Sequence, residues 1–192
     1  MHVTPTPYGR AVSIAESLRV RSADVDDAAA IAEIYRPYVD SSVISFETCA
    51  PEAAEIAERM LSRPRLPWLV AVRDDTVVGY AYASSHRSRA AYRWSADCSV
   101  YLAASEQGRG TGRRLYDALF ALLRDLGYVN VFAGITLPNP ASVGLHEAMG
   151  FAMVGVYRYV GFKFGAWHDV GWWQLSLGEP PLDPPEPGAW AD

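Results

Sequence analysis

Residues 98–112 read Cys-Ser-Val-Tyr-Leu-Ala-Ala-Ser-Glu-Gln-Gly-Arg-Gly-Thr-Gly. A strand-forming run ends in a loop with three glycines, Gly108, Gly110 and Gly112. A helical pattern follows at once. Leu115, Leu119, Leu122, Leu123 and Leu126 share one face of a predicted helix over Gly110–Leu126. Glycine lets the backbone approach a ligand and adopt positive φ. The loop N–H groups and the helix start then form an anion site. Arg109, Arg113 and Arg114 add positive charge beside it, and a pyrophosphate fits that description. The dinucleotide fingerprint wants GxGxxG after a first strand, with an acidic residue about 20 residues on. Here Gln107-x-x-Gly110-x-Gly112 lies mid-chain, with no following βαβ unit to supply the acid. The GxxxxGK[ST] pattern is absent as well. By itself the glycine spacing also reads as a tight strand–helix turn.

Outward from this stretch, strands and helices alternate. Arg19–Arg21 is a short strand candidate. Asp24 is a plausible N-cap, with Asp26 and Asp27 favourable in the first turn that follows. Ile31, Ile34, Tyr35, Tyr38 and Val39 recur at the helical period, and Pro37 inside them predicts a kink or an early end. Val43–Phe46 reads as a second short strand and Pro51–Leu61 as a helix. Trp68–Arg73 and Val77–Ser85 read as a hairpin across Asp74-Asp75-Thr76, and His86–Ser95 as a polar, basic loop. Ala96–Ala103 is the next strand. Val129–Leu137, a helix over Ala141–Met149, and strands over Phe151–Tyr159 and His168–Leu177 complete the pattern. The expected fold is α/β: a mixed, mostly antiparallel sheet of six or seven strands with flanking helices.

Composition agrees. The chain of 192 residues is half hydrophobic and one-fifth charged, an ordinary globular balance for one domain. A net charge of −5 argues against nucleic acid as a partner, since backbone phosphates want a basic patch. Cys49 and Cys98 lack metal-ligand or CxxC spacing, so no disulfide framework is expected and a reducing cytoplasm fits. Met1–Ser17 has no apolar core of the kind a secretory signal needs. No run of about 18 apolar residues is present, so no membrane span is expected. Residues 1–17 read as a loose N-terminal arm and 18–177 as the folded domain. Residues 178–192, with Pro184, Pro185 and Pro187, read as a loose, extended tail.

Gln107-Gly108-Arg109-Gly110-Thr111-Gly112 resembles the acyl-CoA loop of the GNAT superfamily of N-acetyltransferases. Asn139-Pro140-Ala141-Ser142, Leu145-His146 and Gly150-Phe151 resemble that superfamily's second CoA-side motif. The order is right, with a strand between them. Ala91–Ala96, Ser99–Tyr101, Leu137–Asn139, His146–Ala148, Gly161–Lys163 and Trp167–Gly171 are similar to the phosphinothricin N-acetyltransferase family. That family includes enzymes acting on methionine sulfone and methionine sulfoximine. The resemblance spans about Leu18–Leu177 and implies acetyl-CoA as cosubstrate, a central CoA cleft, and a cytoplasmic homodimer without metal.

The resemblance also implies roles. The acceptor amine must lose a proton before attack, and a base with a tuned pKa assists. The family uses a glutamate where this chain has Asp97, one methylene shorter. His146 stands where many superfamily members carry the tyrosine that protonates the leaving thiolate, and its ordinary pKa suits neutral pH. A histidine that only hydrogen-bonds structure is the alternative. Tyr116 matches a tyrosine near the reacting centre, or packs in the core. Backbone groups of Val100, Tyr101 and Leu102 are expected to face the pantetheine arm, with one N–H stabilising the oxyanion. Gly108, Arg109, Gly110, Thr111, Gly112 and Arg113 are expected to hold the pyrophosphate. Asn139 is expected on the CoA arm, or as a turn residue between two prolines. Arg87, Arg89 and Tyr92 are candidates for an acidic group on the substrate, the alternative being a solvated basic loop. Phe46 matches an aromatic bordering the pocket. Trp167-His168-Asp169 reads as strand and dimer structure. Cys98 alternates to the face opposite Asp97, so no acyl-enzyme is expected. A CoA-binding protein with weak turnover is the alternative that the shorter Asp97 keeps open.

Overall fold

The computed structural model describes residues 18–190; the expected arm, Met1–Ser17, lies outside the described residues. Seven strands form one sheet: β1 (Arg19–Ser22), β2 (Trp68–Arg73), β3 (Thr76–Ser85), β4 (Ser95–Leu102), β5 (Asn130–Leu137), β6 (Ala152–Lys163) and β7 (Ala166–Ser176). Their spatial order is β1-β2-β3-β4-β5-β7-β6. Every neighbouring pair is antiparallel except β4–β5. The mixed, mostly antiparallel α/β sheet is as expected.

Helices cover both faces. Against one face pack α1 (Ala28–Asp40) and α2 (Ala53–Met60), burying Ile31, Tyr35, Val39 and Ile56 on Trp68, Val70 and Tyr80. Against the other pack α3 (Thr111–Asp125) and, at its margin, α4 (Pro140–Ala148). The leucine stripe behaves as its spacing predicts: Leu115, Leu119 and Leu123 are fully buried on Val131, Ala133 and Ile135 of β5. The β2–β3 turn is tight because Asp74 and Asp75 both take positive φ, 48° and 58°. Aspartate tolerates that region better than most residues.

The sheet is split at its centre. β4 and β5 pair only over Ser95–Asp97 and Asn130–Phe132. Beyond this, β4 stays with β3 through Leu102, while β5 follows β7 through Leu137. The C-terminal half of β4 therefore has a free edge toward the gap.

Four expectations need correction. Val43–Phe46 forms bends, not a strand, because other groups claim it. Tyr35 and Ser45 share a hydroxyl hydrogen bond of 2.7 Å, and the Lys163 ammonium donates to the Ser45 carbonyl at 2.8 Å. Pro37 does not end α1, which runs on to Asp40. Its missing N–H costs one bond, and the last turn is held by buried Val39, by Lys163 donating to the Val39 carbonyl at 2.5 Å, and by Tyr38 on Leu102. β6 extends beyond Tyr159 to Lys163 through a register shift between Tyr157 and Gly161. Last, the tail is extended but docked. The Trp94 indole donates to the Pro185 carbonyl at 2.7 Å, Gly188 N–H to Leu126 at 2.8 Å, and Arg93 pairs with Glu186.

Candidate active site

The free edge of β4 sets the site's geometry. Ala103 N–H bonds to Val78 in β3, so antiparallel alternation turns Cys98, Val100 and Leu102 outward, toward the gap. Tyr101 sends its amide to β3, and its ring packs on Tyr35, Tyr38 and Tyr80. Both outward groups of Leu102 are taken by the Tyr38 hydroxyl, at 2.7 Å to the carbonyl and 3.3 Å from the N–H. Of the three strand residues expected at the pantetheine arm, Val100 alone has free backbone groups facing the gap.

The loop after β4 is clamped from below. Buried Glu106 accepts from Arg73 of β2 at 2.9 and 3.1 Å and from the Thr111 hydroxyl at 2.7 Å. The Arg73 guanidinium holds its carboxyl down at about 2, against the cost of burial. The fixed loop then needs φ of 74° at Gly108 and 79° at Gly110, which suits glycine alone. The first intrahelical bond of α3 runs from Arg114 to Gly110. That leaves the N–H groups of Thr111, Gly112 and Arg113 at the helix start for an anion. Arg109 and Arg113 are exposed beside them, while Arg114 turns back toward the Leu18 carbonyl. The Thr111 hydroxyl donates to Glu106, which leaves only its N–H to face such an anion.

A pocket of about 60 Å³ lies at the gap, lined by Ile44, Cys98–Tyr101, Tyr116, Ala133–Thr136, Asn139, Ser142 and His146. On its α3–α4 side, the His146 ring donates from Nδ1 to the Ser142 carbonyl at 2.8 Å, and Nε2 accepts from the Tyr116 hydroxyl at 3.1 Å. A carbonyl partner requires a proton on Nδ1, and the neutral form of the ring leaves Nε2 as the acceptor. Burial lowers its pKa below the usual histidine value. Asn139 caps α4, its side chain accepting from Ser142 N–H at 3.1 Å. Cys98 is buried beside Tyr116, and burial pushes its thiol up to about 12. It is no thiolate at neutral pH.

On the opposite side, Asp97 meets a residue the sequence reading left in a loop. His86 Nδ1 lies 2.6 Å from Asp97 Oδ1. The imidazole stacks on Phe132 with centroids 4.2 Å apart, flanked by Tyr92 at 6.0 Å and Trp172 at 6.1 Å. Burial raises the Asp97 pKa, and His86 and Arg87 oppose that rise. Arg87 lies over the Trp172 ring at 5.5 Å. The fold thus gathers Asp97, Arg87 and Tyr92 around His86. Arg89 shares with Arg87 and Tyr92 a hollow of about 550 Å³, walled also by Arg63, Arg93 and the tail at Glu186. Phe46 lies on Gly161, where an added Cβ would sit 2.1 Å from its ring, and near His168. Its loop is pinned by Arg59 on Glu47 at 2.7 and 2.9 Å.

Sequence reasoning missed His86, Trp172, the Arg73–Glu106 clamp and Lys163. Only the period-2 alternation of β4 carried a signal, for it placed Asp97 and Cys98 on opposite faces. Asp169 serves structure, as expected: it accepts from Tyr159 N–H at 2.8 Å across the β6 register shift.

Such a split sheet, with an N–H-rich glycine loop at its mouth, suits an acyl-CoA. The model for the acetyltransferase (GNAT) domain matches residues 20–172. A phosphinothricin N-acetyltransferase of Streptomyces viridochromogenes is 38% identical over 88% of this chain and 92% of its own. An L-methionine sulfoximine/L-methionine sulfone acetyltransferase of Salmonella typhimurium is 34% identical over 84% and 95%. A solved phosphinothricin acetyltransferase from Sinorhizobium meliloti, in complex with acetyl-CoA, superposes with a TM-score of 0.83 at 36% identity, covering 88% and 94%. The chain is a GNAT acetyltransferase, and within that superfamily it belongs to the phosphinothricin N-acetyltransferase family. It is an N-acetyltransferase with acetyl-CoA as cosubstrate.

Proposed function

We propose that the acceptor is a small amino acid bearing an acidic or sulfone-type group, with phosphinothricin as the type case. One observation carries this: Arg87 and the Trp172 indole sit beside the His86–Asp97 pair. The Trp172 Nε1–H is buried and makes no hydrogen bond among the described residues. A buried donor without a partner is uncommon. With the Arg87 guanidinium stacked on the same ring, it suits a phosphinate, carboxylate or sulfone oxygen. The names of the relatives point the same way.

Acetyl-CoA supplies the thioester acetyl group. The N–H groups at the start of α3, with Gly108, Arg109 and Gly110, hold its pyrophosphate, and the Val100 backbone orients its arm. Val100 N–H faces the gap and donates to the oxyanion of the tetrahedral intermediate. Asp97 is the carboxylate on which deprotonation of the amine depends. Tyr116, hydrogen-bonded to His146, protonates the departing thiolate from the other side of the sheet. Asn139 orders the start of α4 at the pocket wall, and Phe46 borders the acceptor.

We place the enzyme in the cytoplasm as a homodimer. β6 is an edge strand, and Tyr157, Val160, Phe162 and Trp167 on the β6–β7 hairpin are half exposed or more. An apolar edge of this kind is ordinarily covered.

A thiol-release assay with acetyl-CoA and a panel of amines tests the substrate. Phosphinothricin, methionine sulfone and methionine sulfoximine are expected to react far faster than alanine. Equal rates for all four would remove the acid-oxygen site.

A further inference from the structure

We propose that His86 is the proton acceptor for the amine, through Nε2, with Asp97 holding the ring from the other side. This rests on the acetyl transfer and on the role given to Asp97 above. It names the atom that takes the proton.

Three observations converge. The 2.6 Å contact between His86 Nδ1 and Asp97 Oδ1 places the ring proton on Nδ1, which donates to the carboxylate, and leaves Nε2 as a lone pair. Nε2 makes no hydrogen bond to the described residues, yet it is not among the side-chain atoms sealed without a partner, so it opens to solvent. The ring plane is fixed by Phe132 behind it and by Tyr92 and Trp172 at its edges. A carboxylate–imidazole pair of this form orients the base and stabilises the imidazolium that forms. The ring also carries the basic nitrogen beyond the short reach of Asp97. Charged and titratable groups facing the pair are Arg87 from the same loop, Tyr92 from the following single-turn helix, and Tyr82 from β3. β5 and β7 contribute the uncharged rings of Phe132 and Trp172.

The steps balance as follows. The acceptor ammonium gives one proton to His86 Nε2, which passes it to solvent. The amine nitrogen forms the N–C bond at the thioester carbonyl, and the adduct nitrogen gives its second proton to the freed Nε2, which again passes it to solvent. Collapse breaks the C–S bond, Tyr116 gives a proton to the CoA thiolate, and solvent restores the Tyr116 proton. One proton is released overall.

His86→Asn is the discriminating variant, because its amide N–H can replace Nδ1–H toward Asp97 but offers no base. His86→Phe keeps the stacking on Phe132 without either nitrogen. Both are expected to lose about 100-fold or more in kcat/KM, with acetyl-CoA affinity and melting temperature held. The acid limb of the pH profile is expected to vanish with them. By ¹⁵N NMR of the wild type, the Nδ1–H tautomer is expected. The rates are read with whichever panel amine the wild type acetylates fastest, so failure of phosphinothricin as acceptor leaves the test intact. Wild-type kcat/KM and pH profile in His86→Asn, or an Nε2–H tautomer, would overturn the proposal. Loss in Asp97→Asn with none in His86→Asn would leave Asp97 as the base by itself.

Discussion

Two histidines flank the gap between β4 and β5, and their partners make them opposites. On the α3–α4 side His146 is buried, gives its proton to a backbone carbonyl and accepts from Tyr116. On the α1–α2 side His86 faces a carboxylate and leaves its second nitrogen open. Burial alone drives the first ring toward the neutral form. The carboxylate beside the second stabilises a charge whenever one arrives. On the proposed mechanism, the sheet separates a neutral, donating side from an anionic, accepting side, with the thioester between them. Attack needs a base at the nitrogen and an acid at the sulfur, and on this reading the split sheet keeps the two from neutralising each other.

That contrast can be broken at several points. The largest expected effect is on the accepting side. Asp97→Asn is expected to lower kcat/KM about 1,000-fold, within the range for a positioned acid or base, in a CoA-release assay. In the wild type, the acid limb belongs to the His86–Asp97 pair as a unit, and burial raises the Asp97 pKa within it. Activity should fall as pH drops through it.

Next comes the clamp below the glycine loop. Glu106→Gln breaks a buried ion pair and is expected to cost about 3 kcal/mol of stability, with weaker acetyl-CoA binding by calorimetry. The sign of the pH effect follows from the Glu106 carboxyl, held at about 2 against an ordinary 4.5. Its contribution is full above the unfolded value and is lost as pH falls from about 4.5 toward about 2. The variant's melting temperature should lack that part of the acid decline.

On the donating side, Tyr116→Phe is expected to lower kcat about 100-fold, at the low end for a proton donor, with the acetyl-CoA KM little changed. A full wild-type kcat would move thiolate protonation to solvent and leave His146 a structural role. The smallest effect is expected at Cys98→Ala. Its thiol is buried beside Tyr116 and pushed up to about 12, so turnover should be unchanged. Loss of turnover with CoA binding intact would instead require an acyl-enzyme.

Much of this was legible in the chain. The leucine period of α3 placed its buried face, and the Asp74-Asp75 turn placed the β2–β3 hairpin. The order of strand, glycines and helix placed the anion loop, because each depends on contacts within a few residues. Alternation along β4 set Asp97 and Cys98 on opposite faces. Val43–Phe46 failed for the opposite reason. Its β-prone side chains describe a strand, but Lys163, far along the chain, takes the Ser45 carbonyl, and Tyr35 takes the Ser45 hydroxyl. The tail's docking on Trp94 and Leu126 depends in the same way on distant partners.

The sequence by itself determined one half of this enzyme: the class of fold, the glycine loop at a helix start and the family. These follow from local backbone demands, glycine at positive φ and a helix start with free N–H groups, which a linear pattern records. Only the tertiary structure decided the acceptor half. A loop histidine became the partner of Asp97 because β5 brought Phe132 beneath it and β7 brought Trp172 to its edge. Proton affinity is set by neighbours in space, and those neighbours are scattered along the chain.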